Sequence, residues 1–254
     1  MSFTGSVMPA QELFRIFTIT ELSSSLAGYY RFDEPSGSLC EDASGNGFSG
    51  SLKVTGAGGL DGAGIRVSGS LSDGGRESSG SVAGNSAMFF GETGSAFVQI
   101  TSSLIPDSEL TTTDFSIAAW IMPTSQSNEF DTIFAKKDSQ SSGFKLDIRD
   151  AAGDSDDKHP FGLHFNMKNS GSSAIAKTTT TTIPTGSYTH VAVTVDRDDK
   201  FRIYINGVKD AADVNSDAAS LDNTGNLHIG RFDSVYSTGN ICQVGIWKGV
   251  LTQE

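Results

Sequence analysis

Apolar residues at every second position are the feature that most restricts how this chain can fold. In residues 144–149, Phe, Leu and Ile alternate with Lys, Asp and Arg, and the same period recurs in 161–167, 191–195 and 201–205. Successive side chains of a strand point to opposite faces, so this period predicts antiparallel strands with one dry face and one wet face. Residues 115–121 are apolar on both faces, which predicts a strand in the middle of a sheet.

Turn signals separate these strands. Asn206-Gly207 is the dipeptide that a two-residue hairpin favours, because both central residues need positive φ. The acidic segment 196–200 is predicted to link the two strands around it. Five consecutive Thr at 178–182 predict an edge strand or an exposed rim. No segment after residue 25 predicts a helix, so the fold class is all-β.

Size and charge narrow the class of protein. The 254 residues fit one large sandwich or barrel. The 18 Lys and Arg residues against 30 Asp and Glu residues give a formal net charge of −12. That charge argues against nucleic acid as a partner and suits a soluble or cation-binding surface. No apolar stretch is long enough to span a bilayer, so membrane insertion is not predicted.

Two segments differ in composition from the predicted strands. Residues 1–25 carry the apolar side chains of Leu13, Phe14, Ile16 and Phe17, which fit a short helix, a strand or a docking arm. A segment this apolar is expected to pack on the body of the protein or on a partner. It has no signal-peptide pattern. Residues 55–87 contain 10 Gly and 7 Ser and predict a surface loop.

Several motifs occur in the order found in one known family. They resemble the strands of laminin-G-like jelly rolls, within the concanavalin A-like lectin/glucanase family, over about residues 26–251. The motifs are Leu26–Glu34 with Asp42–Gly47, Ala87–Gly91, Phe97–Ile100, Phe115–Ile121, Tyr188–Asp196, Arg202–Val208, Leu227–Arg231 and Ile241–Trp247. The resemblance implies an antiparallel two-sheet jelly-roll sandwich with adjacent first and last strands. We expect one such domain over 26–254, preceded by an N-terminal docking arm over 1–25.

Catalysis is not predicted. Glycanases of this fold place carboxylates in a Glu-x-Asp-x-x-Glu pattern on one strand. The nearest segment, Lys145–Asp150, has neither the Glu residues nor the spacing, and its charges are interpreted as a wet strand face. The four histidines have no metal-ligand spacing, and His190 is expected to pack or to form hydrogen bonds within its strand.

Calcium is the candidate cofactor. Asp33, Asp42 and Asn46, with Glu34 nearby, form an oxygen-rich cluster of the kind that binds Ca²⁺, and the resemblance places a calcium site there. In many relatives an Asp of the closing strand completes that site. Here Cys242 and Gln243 stand in its place. A second acidic cluster at 154–157 is interpreted as a solvated turn.

Sugar binding needs exposed aromatic side chains beside polar hydrogen-bonding groups. The loop candidates are Asn128, Phe130, Asp233 and Tyr236. Trp120 is expected to belong to the core, and Trp247 is open to either interpretation.

The chain has two cysteines, Cys40 and Cys242, too few for a disulfide scaffold. Because the resemblance makes the first and last strands neighbours, both cysteines are expected at the same end of the sandwich. A disulfide between them is a hypothesis that depends on their separation.

Together these features predict a non-catalytic module that presents a binding surface. The favoured setting is a structural or adhesion component of a larger assembly, such as a phage particle. There it would decorate a capsid or a fibre and contact host surface glycans, with partners docking through residues 1–25. The predicted location is a virion surface or the extracellular space. The alternatives are a secreted or cell-surface calcium-dependent lectin and, less favoured, a glycan hydrolase.

Overall fold

Strands make up all the regular secondary structure in the described part of the chain. The computed structural model describes residues 25–32, 34, 38–55, 88–90, 95–101, 113–123, 130–137, 142–149, 159–169, 174–216, 221 and 223–252. Within them it has no helix and these strands: β1 Leu26–Tyr30, β2 Leu39–Cys40, β3 Gly50–Thr55, β4 Met88–Phe90, β5 Ser95–Ile100, β6 Phe115–Pro123, β7 Phe130–Lys137, β8 Gly143–Arg149, β9 Gly162–Lys168, β10 Ile175–Thr182, β11 Thr189–Val195, β12 Lys200–Ile205, β13 Val208–Asn215, β14 Leu227–Ile229, β15 Arg231–Phe232, β16 Val235–Tyr236 and β17 Gly239–Lys248.

Two large antiparallel sheets contain most of these strands. Sheet A has the order β1-β17-β6-β11-β12-β13, and β4 also pairs with β17. Sheet B has the order β10-β9-β8-β7-β14-β5-β3-β2, and β15 and β16 form a separate hairpin. The first and last strands pair antiparallel, with Leu26 opposite Trp247 and Tyr30 opposite Val244, as the family resemblance implied.

The two sheets face each other across one apolar core. Phe115 of sheet A stacks on Phe144 of sheet B with ring centroids 4.6 Å apart, and Phe165 of sheet B meets Phe201 of sheet A at 5.0 Å. Strand β6 lies between β17 and β11, and all nine of its residues are buried. The predicted two-sheet jelly-roll sandwich with a central strand at 115–121 is therefore confirmed.

The predicted turns also form. Asn206 and Gly207 have φ of 50° and 76° and connect β12 to β13, with Ile205 opposite Val208. The N–H of Asp196 donates to the carbonyl of Lys200, 3.0 Å away, and closes the acidic turn between β11 and β12. The threonine run ends β10, which is an edge strand of sheet B.

Some sequence predictions lie outside the described residues. Residues 1–24 and 56–87 are not among them, so the docking arm and the surface loop stay predictions. The same holds for the acidic cluster at 154–157.

The disulfide hypothesis is wrong. Cys40 and Cys242 are both free, buried thiols. Cys40 packs in the core between the sheets, whereas Cys242 packs with Trp120 in a separate cluster on the outer side of sheet A. Cys40 lies on β2 of sheet B and Cys242 on β17 of sheet A, and their side chains belong to different clusters.

The side chains of Trp120, Trp247 and His190 are all buried on the outer side of sheet A. Trp120 alternates along β6 with Ala119 and Ile121, which point into the main core. The expected burial of Trp120 is correct, but its cluster is a second one outside the sandwich core. The ring of His190 packs on Trp120 with a centroid distance of 5.3 Å, as the packing prediction for His190 required.

Candidate functional site

The outer face of sheet B carries a row of polar side chains across three adjacent strands. Lys145 Nζ lies 2.5 Å from Asp147 Oδ2 on β8. Arg149 Nη2 lies 2.9 Å from His164 Nε2 on β9, and His164 Nδ1 lies 2.8 Å from Thr178 Oγ1 on β10. The alternation of strand β8 explains this row, because Phe144, Leu146 and Ile148 occupy the opposite, core-facing side.

The predicted wet face of strand β8 is wrong as to exposure. Lys145, Asp147 and Arg149 do point away from the core, but they are only 7%, 0% and 7% exposed. Part of the cover comes from the β15–β16 hairpin, where the ring of Phe232 lies 5.0 Å from Lys145 Nζ. Burying a charge is costly unless an opposite charge accompanies it. The Lys145–Asp147 ion pair meets that requirement.

The β15–β16 hairpin folds over strands β5 and β7 of sheet B and brings aromatic and cationic groups together. The guanidinium carbon of Arg231 lies 4.5 Å from the ring centroid of Phe97 and 5.5 Å from that of Tyr236. Arg231 Nε also donates to the carbonyl of Asp233 at 2.6 Å. His228 approaches the Phe97 ring edge-on at 5.2 Å.

The exposed parts of this hairpin could contact a ligand. Arg231 and Tyr236 are partly exposed, and Asp233 is exposed at the turn with φ of 55°. Asp tolerates this left-handed conformation better than most residues. We call Phe97, Arg231, Asp233 and Tyr236 the hairpin platform. It combines a cation, a carboxylate and a phenol, and such groups can bind the hydroxyl groups and apolar faces of a sugar.

Two of the four sugar-site residues proposed from sequence meet in this platform. Asp233 and Tyr236 lie on one hairpin, while Phe130 opens β7 and only its strand position is described. Asn128 lies outside the described residues. Arg231 and Phe97 were missed as site residues. A usable signal for Arg231 was the turn pair Asp233-Ser234 between the short runs 231–232 and 235–236, a hairpin pattern.

The calcium candidates Asp42 and Asn46 form part of a loop that is fastened to β1. Asp42 Oδ1 accepts hydrogen bonds from the N–H groups of Tyr29 at 3.0 Å and Ser44 at 2.9 Å, and Oδ2 accepts one from Phe48 at 3.1 Å. Asn46 Nδ2 donates to the carbonyls of Leu26 and Ala27 at 2.8 and 3.1 Å. Both side chains therefore hold the 42–48 loop against the first strand.

This arrangement does not fit a calcium ion. Ca²⁺ requires six to eight oxygen ligands, yet both oxygens of Asp42 face N–H donors, whose positive ends oppose a cation. Burial alone would raise the pKa of Asp42, but hydrogen bonds from Ser44, Tyr29 and Phe48 outweigh it and lower the pKa. Asp33 lies outside the described residues, and within them no group of three His, Cys, Asp or Glu side chains could hold a metal. Calcium binding stays an untested prediction from the sequence, and the geometry of Asp42 and Asn46 does not favour it.

The closing strand bulges at the position where the family resemblance implied a calcium-binding Asp. The pairing of β17 with β6 shifts between Cys242 and Gly245, and Gln243 has φ of 51°. Burial raises the pKa of Cys242 to about 12, so its sulfur is a neutral thiol. The Gln243 amide is buried, with neither its oxygen nor its nitrogen hydrogen-bonded within the described part. No carboxylate replaces the missing Asp at either position.

The sequence profile of the concanavalin A-like lectin/glucanases superfamily matches residues 93–254. That range is well over half of the chain, and the fold is the jelly roll of that class. The protein belongs to this superfamily. Among proteins of curated function, none matches the sequence.

Solved structures with the same fold share little sequence with this chain. Domain 4 of AbnA, a GH43 extracellular arabinanase from Geobacillus stearothermophilus solved with arabinotriose, is 21% identical at a TM-score of 0.56, covering 90% of this chain and 94% of that one. The binding domain of Paraclostridial Mosquitocidal Protein 1 is 16% identical at 0.59, covering 91% and 50%. A botulinum neurotoxin type C structure, from work on cell entry through two ganglioside molecules, is 15% identical at 0.59, covering 92% and 50%.

At these low identities, the comparisons show that the fold is shared and say nothing about a shared site. The chain spans 50% of each of the two toxin chains and nearly the full length of the AbnA domain. In the described part of the chain, no helix has the length and apolar character needed to cross a membrane.

Proposed function

We propose that this protein is a non-catalytic glycan-binding module that works outside the cell. The observation that carries the proposal is the hairpin platform, where Arg231, Asp233 and Tyr236 are grouped on one partly exposed hairpin. An aromatic ring with charged hydrogen-bonding groups beside it suits a sugar, because a sugar has both apolar C–H faces and hydroxyl groups.

The fold and its neighbours support this class of function. The family takes its name from lectins and glucanases. Among the neighbours, the AbnA domain was solved with arabinotriose and the type C neurotoxin depends on gangliosides. One fold hosts many functions, so the support for binding at this site comes from the platform residues themselves.

A non-catalytic role is supported by the carboxylates of strand β8. A glycan hydrolase of the usual kind needs two carboxyl groups placed on either side of the scissile bond. In β8 the one carboxylate, Asp147, is completely buried and paired with Lys145. Reducing-sugar release from a panel of polysaccharides is the direct check, and release by the unsubstituted chain would contradict the proposal.

Binding is tested by titrating the full chain with arabinotriose and with ganglioside-containing vesicles, after a glycan array has shown which sugars are retained. Tyr236→Ala and Arg231→Ala are expected to weaken binding about fivefold each, since an aromatic or charged contact contributes roughly 1 kcal/mol. Tyr204→Ala is the matched control, because Tyr204 is also partly buried but lies on the outer side of sheet A. Equal losses in all three variants would place the sugar elsewhere.

The finer setting is also a proposal. The sequence suggested a component of a larger assembly, such as a capsid-decoration or fibre protein on a virion, with glycans of the host as ligands. The neighbours are toxins and an extracellular enzyme, and they support a location outside the cell. Native mass measurement of the purified chain, and a search for the chain in purified particles, would test the assembly.

A further inference from the structure

The threonine run of β10, residues 178–182, holds this edge strand in place through its side chains. The pairing of β10 with β9 shifts between Thr178 and Thr182, so the regular ladder is interrupted there. Hydroxyl groups of the run bond instead to His164 of β9 and to Asp210 of β13. Strand β10 is therefore fastened at two points, one on each sheet.

His164 is the centre of the first fastening. Its Nδ1 lies 2.8 Å from Thr178 Oγ1, and its Nε2 lies 2.9 Å from Nη2 of Arg149 on β8. All three side chains are buried. One imidazole ring thus connects the three neighbouring strands β8, β9 and β10 on the outer face of sheet B.

The contact with Arg149 fixes the protonation state of this ring. A guanidinium group has N–H donors and no acceptor, and it keeps its proton in proteins. His164 Nε2 must therefore accept the hydrogen bond, so the ring is neutral and its one proton is on Nδ1, which donates to Thr178. A second proton, on Nε2, would set an N–H against the N–H of Arg149 and bring two positive charges together in a buried place.

The charged side chains of the three strands give a second proton little compensation. Asp147 of β8 lies opposite His164, but it is already paired with Lys145 at 2.5 Å. It is the one carboxylate of these strands. Their other charged residues are all cations: Lys145 and Arg149 of β8, Lys168 of β9 and Lys177 of β10. A protonated His164 would therefore add to an excess of positive charge.

The second fastening requires an ionised group. The Asp210 carboxylate accepts hydrogen bonds from the N–H and hydroxyl groups of Thr180 and Thr181. An ionised carboxylate has acceptors alone, so a proton on it would face these donors with another donor. A falling pH therefore acts against both fastenings. Histidine takes up a proton at a higher pH than aspartate does, so acid acts on the His164 fastening first.

Strand β10 adds little to the apolar core. Five of its eight residues are threonines, and Ile175 is its residue that packs on the main core. At the edge of sheet B, it pairs with β9 alone. Opening a strand of this kind costs less free energy than opening a central strand.

We propose that β10 is an acid-releasable strand: when His164 gains a second proton, its contacts with Arg149 and Thr178 break, and residues 175–182 separate from β9 while the central strands stay paired. Release exposes the backbone edge of β9. This device is independent of glycan binding at the hairpin platform.

Amide hydrogen exchange of the full chain at pH 7 and pH 4.5, corrected for the intrinsic pH dependence of exchange, measures the release. The closed form excludes the second proton, and an exposed histidine has a pKa near 6.5. The opening equilibrium of β10 therefore rises by up to about 100-fold at pH 4.5. We expect β10 to lose protection by about this factor and to exchange faster than β6 and β11 at pH 4.5.

His164→Gln is the test variant, because glutamine keeps one donor and one acceptor and does not titrate. His228→Gln is the matched control, since it makes the same change at a partly exposed position on the outer face of sheet B. We expect His164→Gln to remove most of the pH-dependent loss of protection in β10 and His228→Gln to retain it. An equal loss in both variants would overturn the proposal.

Two further results would also overturn it. If β10 exchanges no faster than β6 and β11 at pH 4.5, the sandwich opens as a whole and no strand is released by itself. Nitrogen NMR of the imidazole rings at pH 7 uses the unsubstituted protein, so it decides even where His164→Gln fails to fold. We expect a proton on Nδ1 of His164 and a bare Nε2, and a proton on Nε2 would contradict the proposal.

Discussion

Asp210 and Thr180 lie on edge strands of opposite sheets, and the Asp210 carboxylate accepts hydrogen bonds from both the N–H and the hydroxyl of Thr180, at 2.7 and 3.2 Å. The same carboxylate also accepts the N–H of Thr181 at 3.2 Å and a short bond from its hydroxyl. β10 of sheet B and β13 of sheet A are thereby fastened along one edge of the sandwich. The threonine run thus supplies the donors that hold this edge closed.

Asp210→Asn is expected to destabilise the fold by about 1 kcal/mol, since the bonds are charge-assisted but lie near solvent. Burial alone would raise the pKa of Asp210, but the bonds from Thr181 and Thr180 outweigh it and lower the pKa. A lowered folded-state pKa adds stability above the unfolded value near 4, and this is lost as the pH falls through the folded value. The difference in free energy of unfolding between the unsubstituted protein and Asp210→Asn, measured with urea, should therefore be larger at pH 7 than at pH 3.

The control for this prediction is Asp198→Asn, at an exposed position in the turn between β11 and β12. It should change the free energy of unfolding by no more than a few tenths of a kcal/mol. A difference between Asp210→Asn and the unsubstituted protein that does not shrink at low pH would contradict a stabilising role for the Asp210 carboxylate.

Asp42→Ala is expected to lower the melting temperature by several degrees in EDTA, because three backbone N–H groups lose their acceptor at a cost of about 1–2 kcal/mol. From the geometry of Asp42 and Asn46, millimolar CaCl₂ should leave the melting temperature of the unsubstituted protein unchanged. Binding to the folded state alone would raise it by mass action. A calcium-dependent rise that Asp42→Ala abolishes would instead establish the calcium site predicted from sequence.

Asp147→Asn is expected to cost about 3 kcal/mol, because it removes the negative charge that lies 2.5 Å from the buried ammonium of Lys145. The double variant Lys145→Met with Asp147→Leu removes both charges and should recover most of that loss. Urea unfolding of the unsubstituted protein, Lys145→Met, Asp147→Leu and the double variant measures the coupling. If the double variant is as unstable as the two single changes added together, the pair is not a unit.

Both cysteines should titrate as free thiols when the protein is unfolded without reductant. In the folded protein they should react slowly with a thiol reagent, because both are buried and burial raises the pKa of Cys242 to about 12. Counting thiols with and without guanidinium is the measurement. Fewer than two titratable thiols after unfolding would contradict this prediction and indicate a disulfide.

Much of the fold followed from local patterns. The apolar residues 115–121 predicted a central strand, and β6 is flanked on both sides. Asn206-Gly207 predicted a hairpin, and both residues have positive φ. These succeed because a strand's period and a turn's backbone demands are properties of a few consecutive residues.

The candidate site was harder to predict. Asp233 and Tyr236 were singled out as loop residues, but Arg231 and Phe97 join them only because a six-residue hairpin folds over β5. Asp42 and Asn46 were assigned to calcium by resemblance. Their bonds to Tyr29, Leu26 and Ala27 depend on how the loop lies on β1.

The sequence by itself determined the fold class, the order of the main strands and which side chains of each strand share a face, since these depend on alternation and turn chemistry. Only the tertiary structure decided what covers each face. Lys145, Asp147 and Arg149 point outward as their period requires, yet they are buried, and Phe232 of the 231–236 hairpin lies over Lys145. Burial depends on contacts between residues far apart in the chain, and a local period carries no information about those contacts.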